Sequence, residues 1–549
     1  MKPGYIFSLD QVLNPNGWTS YIWNNFYWWS LLSQVFTFFH IPIWIMEKLL
    51  IIMTFILPAL GGYLLFKENR KQKSPAILFG VFLLIFSPFL YSRFIDGQIN
   101  IYLSYALYPI LFYFIQRVIR NTNYKNILFV WLCSLLLCLT SIHNAIFLLF
   151  IFVIFWGFHL SHIGIKRISQ ITIWVLLCNL IWIIPISISG STSLDQIDNF
   201  WADHRAAFQT LSWDTNIYFN ALALNGYWWE QEWRFKPNTE VNDKWKNVFF
   251  ILFLVVLIWI YSRIDFKNKK ISLTPFEKSL LALWVLAFIL SLWNSSGWPI
   301  GYINTLLFDH FPFYAWMREP HKWVMFLIIV YAYFGILGIK YITKRLNDTW
   351  VNTYIKKSSI AFLVLLPIIY TPATLLWFWG QVSIQEYPQE WKDIKSTLSK
   401  TWNDDCDYLL ENKSTKCYET LAFPWHGYIG VSFTQKIIWS WILKYFWDDV
   451  LFGDNIEIRD IYTQSNRPES KIIEKYISNT WLLREKDVDT FEGIIPLSRD
   501  LKSLGIINII VLKESDYLFY SWILDDLVSE WLAKKEQENS MLILYKILQ

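Results

Sequence analysis

Apolar residues in this chain fall into long runs separated by short polar gaps, and the pattern changes once, near residue 379. A helix that crosses a bilayer needs roughly 20 largely apolar residues. Ten runs meet or approach that requirement: 49–66, 75–92, 99–116, 127–140, 145–160, 170–188, 247–262, 279–293, 323–339 and 359–379. The fourth, eighth and ninth are short, and the fourth and fifth read as one hairpin turning at Ser141–Asn144. Beyond 379, short β-prone runs at Tyr418–Phe423 and Ile506–Leu512 alternate with a helical pattern over Asp516–Lys535, and Met541–Ile547 reads as a final strand. The predicted fold class is therefore mostly α: a polytopic membrane helical bundle over 1–379, with large loops 1–48, 189–246 and 294–322, followed by a C-terminal extracytoplasmic α/β domain over 380–549.

Charge in the gaps sets the expected orientation. One set of gaps carries Lys67, Arg70, Lys71, Lys73, Arg117, Arg120, Lys125, Lys166, Arg167, Arg263, Lys267, Lys269, Lys270, Lys278, Lys340, Lys344, Arg345, Lys356 and Lys357. The opposite set is longer and holds Lys2, Lys48, Arg93, Arg205, Arg234, Lys236, Lys244, Lys246, Arg318 and Lys322. Basic density differs roughly fourfold, which puts the first set in the cytoplasm. The three large loops and the C-terminal domain are then expected outside, in a multi-pass cell-membrane protein. Met1-Lys2-Pro3-Gly4 reads like the middle of a loop, so an eleventh span is expected upstream; a short translocated tail is the alternative.

Composition agrees with this pattern. Charged residues are 17% of the 549, against about 25% in soluble domains, while 54% are hydrophobic and 19% aromatic. A disordered chain is excluded. The net charge of +4 hides two unlike parts: 29 Lys+Arg against 17 Asp+Glu up to residue 379, and 19 against 27 beyond it. Basic residues in short blocks between apolar runs do not suit nucleic acid. Cys133, Cys138 and Cys178 lie in apolar runs, whereas Cys406 and Cys417 lie in the C-terminal domain, where pairing and free thiols are equally open.

The outer loops carry the candidate chemistry. Pro3-Gly4-Tyr5-Ile6-Phe7-Ser8-Leu9-Asp10 ends in an isolated carboxylate, ordinarily a solvated or turn-forming one. Arg93 and Asp96 sit at a membrane edge, where they could simply pair, and His143 sits at the hairpin tip, where a histidine is more often structural. The 189–246 loop contains Asp195, Asp198, Asp203, His204 and the run Asn225-Gly226-Tyr227-Trp228-Trp229-Glu230. Oxygen ligands of this kind bind hard cations, so a divalent cation stays open, but no metal spacing assigns one. Aromatic faces, carboxylates and arginine are also what a sugar phosphate needs. The 294–322 loop ends in Met317-Arg318-Glu319-Pro320-His321-Lys322, three potential cations at the start of an apolar helix. They read either as snorkelling anchors or as a phosphate clamp. Their place on the side that runs against the positive-inside trend favours the clamp. In the C-terminal domain, Pro424-Trp425-His426-Gly427-Tyr428 reads as a structural turn with packed aromatics, or as a sugar-contacting loop.

These features together resemble the GT-C superfamily of integral membrane glycosyltransferases, closest to its YfhO-like and arabinofuranosyltransferase-like bacterial groups. The likeness rests on Pro-Gly-Tyr-Ile-Phe-x-Leu-Asp in an outer loop, Phe-x-x-x-Met-Arg-Glu-Pro-x-Lys opening a helix, and the C-terminal domain. It implies a polyprenyl-phosphate sugar donor, a glycan acceptor and a lipid bilayer as partners. It also implies Asp10 as general base, with Arg318, Lys322, His321 and Arg93 on the donor phosphate. Asp96, His143, Asp203, His204, Trp228, Trp229, Glu230 and Glu319 are the expected substrate contacts. The leaving group is already an anion, so a cationic clamp is expected to help more than a general acid. No Asp-x-Asp pair accompanies Asp10, which sets metal-dependent oligosaccharyl transfer aside. A transporter or flippase would carry charges deep in its spans and repeated halves; neither pattern is read here. A non-catalytic glycan- or lipid-binding protein would differ only at Asp10.

Overall fold

The computed structural model describes the chain from 27 to 548 apart from residues 69–73, 142, 190–207, 212–215, 233–234, 266–269, 293–296, 298, 312–313, 318, 401–418, 435, 447–449, 454, 459–460, 464–467, 485–493 and 515. Two compact units emerge: 1–45 with 189–201 and 384–549, and 46–188 with 202–383.

The second unit is helical. Among the described residues seven helices are long and apolar enough to cross a membrane: Ile43–Lys67, Ala76–Ile95, Ile99–Arg120, His143–Ser161, Pro275–Leu292, Pro320–Asn347 and Thr353–Tyr370. Tyr124–Thr140 and Trp245–Tyr261 are shorter apolar helices, and Ile165–Ser189 runs for 25 residues. All ten expected runs fall on these elements. Several boundaries need correction. The 1–48 loop contains the helix Tyr27–Phe38 and gives way to a span at Ile43, and the 189–246 loop contains the helix Ile217–Leu222. The last run stops at Tyr370, where Thr371-Pro372 ends the helix, instead of reaching 379. The 294–322 segment is not all loop, because Ile300–His310 is a helix.

The 320–347 helix is the axis of this unit, and its apolar window is entirely buried. Glycines let its neighbours close in. A Cβ added at Gly338 would stand 1.9 Å from the carbonyl oxygen of Val255, and one at Gly335 would stand 2.2 Å from the Phe79 ring. Backbone therefore packs against side chain and backbone with nothing between, a device of helix pairs in lipid, where close packing replaces the hydrophobic drive.

After Tyr370 the chain makes a left-handed turn. Trp377, Phe378, Trp379 and Gly380 all have positive φ, of 52°, 55°, 60° and 76°. Three non-glycine residues in that region cost roughly 1–2 kcal/mol each. Packing holds the turn: Phe378 is buried and stacks on Phe94 at 4.2 Å and 10°, and Gln381 donates to the Phe378 carbonyl and to the Tyr91 hydroxyl. Trp379 is exposed, so its ring offsets little of its own strain. Trp379→Gly is expected to leave stability unchanged or raise it by up to ~1 kcal/mol, read as an unchanged or higher midpoint in a detergent melting experiment. A fall of that size would mean that the indole, not the backbone, matters there.

In the first unit a five-stranded sheet runs in the order Ala533–Glu538, Leu542–Ile547, Asn508–Leu512, Thr420–Phe423, Val450–Phe452. The last three strands are parallel, and Leu542–Ile547 is antiparallel to both of its neighbours. Burial on both faces explains continuous apolar runs such as Asn508–Leu512 in place of alternation. Helices Pro468–Arg484, Ile494–Ser503 and Tyr517–Ser529 fold in the same domain. The helical pattern expected to Lys535 ends at Ser529, and Ala533–Glu538 is an edge strand. His426 lies 3.2 Å from Asp516, and the imidazole helps hold that carboxyl below its usual range against the opposing effect of burial.

Candidate functional site

Four helix ends of the bundle meet around Arg93. Ser87 caps the 88–95 helix by accepting from the Leu90 amide at 3.4 Å, and Pro88 preorganises its first turn. The helix closes in a Schellman motif: Gly97 takes φ 74°, its amide donates to Phe94 and the Gln98 amide donates to Arg93. That reversal folds the Gln98 side chain back onto the arginine. The 320–347 helix opens with a tight turn over Pro320–Trp323, so Glu319, His321 and Lys322 enter at the bundle axis. His143 begins its own helix. A second Schellman closure, with Leu224 at φ 63°, turns Asn225–Glu230 toward the same place.

Arg93 is completely buried. Its Nη1 donates to Glu319 Oε2 at 2.8 Å and to Gln98 Oε1 at 2.5 Å. Its guanidinium lies 3.8 Å from the centroid of the Tyr227 ring, a desolvated cation–π contact worth about 2 kcal/mol. Its Nε and Nη2 have no hydrogen-bond partner among the described residues. Lys322 is 4% exposed, so it does not snorkel to water. Its Nζ lies 3.7 Å from Glu319 Oε2 and 3.0 Å from His143 Nε2. With the ammonium donating, His143 carries its proton on Nδ1 and donates to Ser141 Oγ at 2.8 Å. His321 is buried, stacks on Phe89 and is held through Nε2 by the Asn225 carbonyl at 3.1 Å.

Carboxyl groups complete the cluster. Asp96 accepts from the Tyr227 hydroxyl at 2.5 Å, and Gln98 Nε2 donates to that hydroxyl. Burial first, then Asp96, pushes the Tyr227 phenol well above its usual range, so it stays a neutral donor. Glu230 is 3% exposed. Its Oε1 accepts from Ser92 Oγ at 2.7 Å, and its Oε2 has no partner among the described residues. Burial pushes its carboxyl up to about 7, against the lowering effects of the Ser92 hydroxyl, Arg93 and the backbone at Gly226 and Tyr227. Trp228 and Trp229 beside it are buried and pack edge to face at 4.2 Å.

Of the expected site residues, Arg93, Asp96, His143, Trp228, Trp229, Glu230, Glu319, His321 and Lys322 are thus gathered at one end of the bundle. Asp10, Asp203, His204 and Arg318 lie outside the described residues, as do Cys406 and Cys417. Glu319 and Gln98 hold Arg93, and Tyr227 holds Asp96, so both residues belong to a larger network. Ser92 and Gln98 belong to the site although no sequence pattern singles them out, and Tyr227 takes a larger part than its place in an aromatic run suggests. One signal was available: Gly97 directly before Gln98 marks a helix C-cap that returns the next side chain to the helix.

Among the described residues no three His, Cys, Asp or Glu side chains stand together as a metal site. What the cluster offers is a set of buried hydrogen-bond donors, one of them a guanidinium with an unused edge, beside a carboxyl able to exchange a proton near neutrality. Such preorganised donors stabilise charge in a dry site far better than water does.

A family model of 6-pyruvoyl-tetrahydropterin synthase related domains, described as a membrane protein, matches residues 26–306, just over half of the chain. The chain belongs to this family. It is accordingly a multi-pass membrane protein. Among solved structures it is similar to the arabinofuranosyltransferase AftD from Mycobacteria, with a TM-score of 0.57 and 11% identity over 99% of this chain and 40% of that one. This likeness shows a shared fold, in line with the resemblance read from the sequence. The oligosaccharyltransferase of Archaeoglobus fulgidus aligns with a TM-score of 0.42 and 12% identity, over 85% of this chain and 59% of that one. The chain thus spans about two fifths of the arabinofuranosyltransferase's length. No curated protein matches it.

Proposed function

We propose that this protein is a membrane glycosyltransferase that moves a sugar from a polyprenyl-phosphate donor to a cell-envelope glycan or lipid-linked acceptor on the outer face. One observation carries the reading: a fully buried arginine whose Nε and Nη2 have no partner among the described residues, beside a buried lysine, at one end of a bundle with a GT-C fold. An arginine edge of this kind fits two phosphate oxygens. Arg93 and Lys322 are the clamp, joined by Arg318, with His321 and His143 packed around them. Trp228 and Trp229 border the sugar, and the C-terminal domain lies outside the cell.

The anomeric carbon exchanges its phosphate oxygen for the acceptor hydroxyl oxygen, and the bond electrons leave with polyprenyl phosphate. Asp10 takes the hydroxyl proton, a contribution of roughly 10²–10⁴-fold. The test is transfer from radiolabelled polyprenyl-phosphate sugars by the purified protein and its Asp10→Asn variant. Transfer by the wild type, reduced on that scale in the variant, is expected. Equal transfer by both removes Asp10 from the chemistry, and no transfer from any donor favours a glycan- or lipid-binding role.

A further inference from the structure

Resting on that reading, we propose that Glu230 binds the donor phosphate as a neutral acid and hands its proton to the departing polyprenyl phosphate. The geometry is specific. Ser92 Oγ fixes Oε1 at 2.7 Å, while Oε2 is buried with no partner among the described residues. Arg93 lies next in sequence to Ser92, its charge lowers the Glu230 carboxyl against burial, and its Nε and Nη2 have no hydrogen-bond partner among the described residues. Neither group's unused atoms are satisfied by the other's. A phosphate oxygen bonded to both would satisfy a buried acceptor-turned-donor and a buried cation at once, and leaving such groups unpaired is costly.

Charge balance supports the neutral form. Around the cluster, Arg93 and Lys322 face three carboxyls, Glu319, Asp96 and Glu230. With all three ionised these described groups carry one net negative charge, and with Glu230 protonated they carry none. Among the described residues the other titratable groups of this region are His143, His321 and Tyr227, with Tyr91 and Glu240 beyond them. A carboxyl near 7 also suits proton transfer to this leaving group. The second ionisation of a phosphate monoester lies near 6, so the proton passes between groups of similar affinity.

The step balances. The C1–O bond breaks and its electron pair stays on the phosphate, which takes the Glu230 proton. The acceptor oxygen bonds to C1, and its proton goes to Asp10. Solvent then reprotonates Glu230 and accepts the proton from Asp10.

The experiment measures binding of farnesyl methyl phosphate to the full chain in detergent from pH 6 to 9. This diester carries one fixed negative charge and has no second ionisation, so pH dependence reports the protein. For the wild type, affinity is expected to fall about tenfold per pH unit above 7, with proton uptake seen by calorimetry in two buffers of different ionisation enthalpy. Glu230→Gln should bind without that break. Ser92→Ala removes a bond that favours the ionised carboxylate, so its break should move to higher pH. The same break in Glu230→Gln as in wild type overturns the assignment of Glu230 while leaving the phosphate site standing. No diester binding by the wild type at any pH overturns both. Thermal melting of each variant separates misfolding from loss of the proton, and Ser92→Ala, which keeps the carboxyl, decides the matter if Glu230→Gln does not fold: an unmoved break then counts against Glu230.

Discussion

Arg93→Met is expected to lose about 3–5 kcal/mol of stability, the usual cost of removing one partner of a buried ion pair, and to lose binding of polyprenyl phosphate. The side chain is fully buried and its Nη1 serves Glu319 and Gln98 together. Without it Glu319 loses the 2.8 Å ion pair and keeps a longer contact to Lys322, at 3.7 Å. The stability loss and the binding loss have different origins, and a second variant separates them. Adding Glu319→Gln removes the stranded charge, so the double variant should regain much of the thermal midpoint. It should not regain phosphate binding, because the guanidinium edge is still missing. A double variant that recovers both would make Arg93 a purely structural residue.

Gly338→Ala is the largest expected effect away from the site. One methyl group there would sit 1.9 Å from the Val255 carbonyl oxygen. Backbone cannot rotate away as a side chain can, so the 245–261 helix must retreat from the central helix. Overpacking costs about 1–3 kcal/mol in ordinary cores, and this contact belongs at or above the top of that range. Gly157→Ala is the matched control: it is also a glycine in an apolar helix, but a Cβ there meets nothing within 4 Å. The control should be neutral or slightly stabilising, since alanine is the better helix former by about 1 kcal/mol. Equal melting of the two variants would show that the helices can part without penalty.

The helical plan was legible because the apolar runs and their basic ends are strong, redundant signals. The run over 323–339 shows what was legible only in part. Its length and hydropathy announce a span, but nothing in its composition says that it is the buried axis; Gly335 and Gly338 read as ordinary small residues until the neighbouring helices are in place. The left-handed turn at Trp377–Gly380 was not legible at all. Tryptophan and phenylalanine do not favour positive φ, and the turn exists because Phe378 fits against Phe94 and Tyr91.

At the site, Lys322 and His321 stood out as basic residues on the side expected to be poor in them, and their burial sets the snorkelling reading aside. Arg93 was noticed for the same reason, but its partner Glu319 lies 226 residues away, beyond any local pattern. From sequence alone a cationic clamp looked more useful than a general acid. The burial that raises Glu230 was hidden at that level, because it is a tertiary property of the Asn225–Glu230 turn against the 88–95 helix. Asp10 rests on its motif alone.

The most direct measurement is a structure determined with a polyprenyl-phosphate sugar bound. Its phosphate is expected within about 3 Å of Arg93 Nε or Nη2, with Lys322 and Glu230 as neighbours and the sugar toward Trp228 and Trp229. A phosphate bound elsewhere, with the Arg93 edge unchanged, would contradict the proposed site.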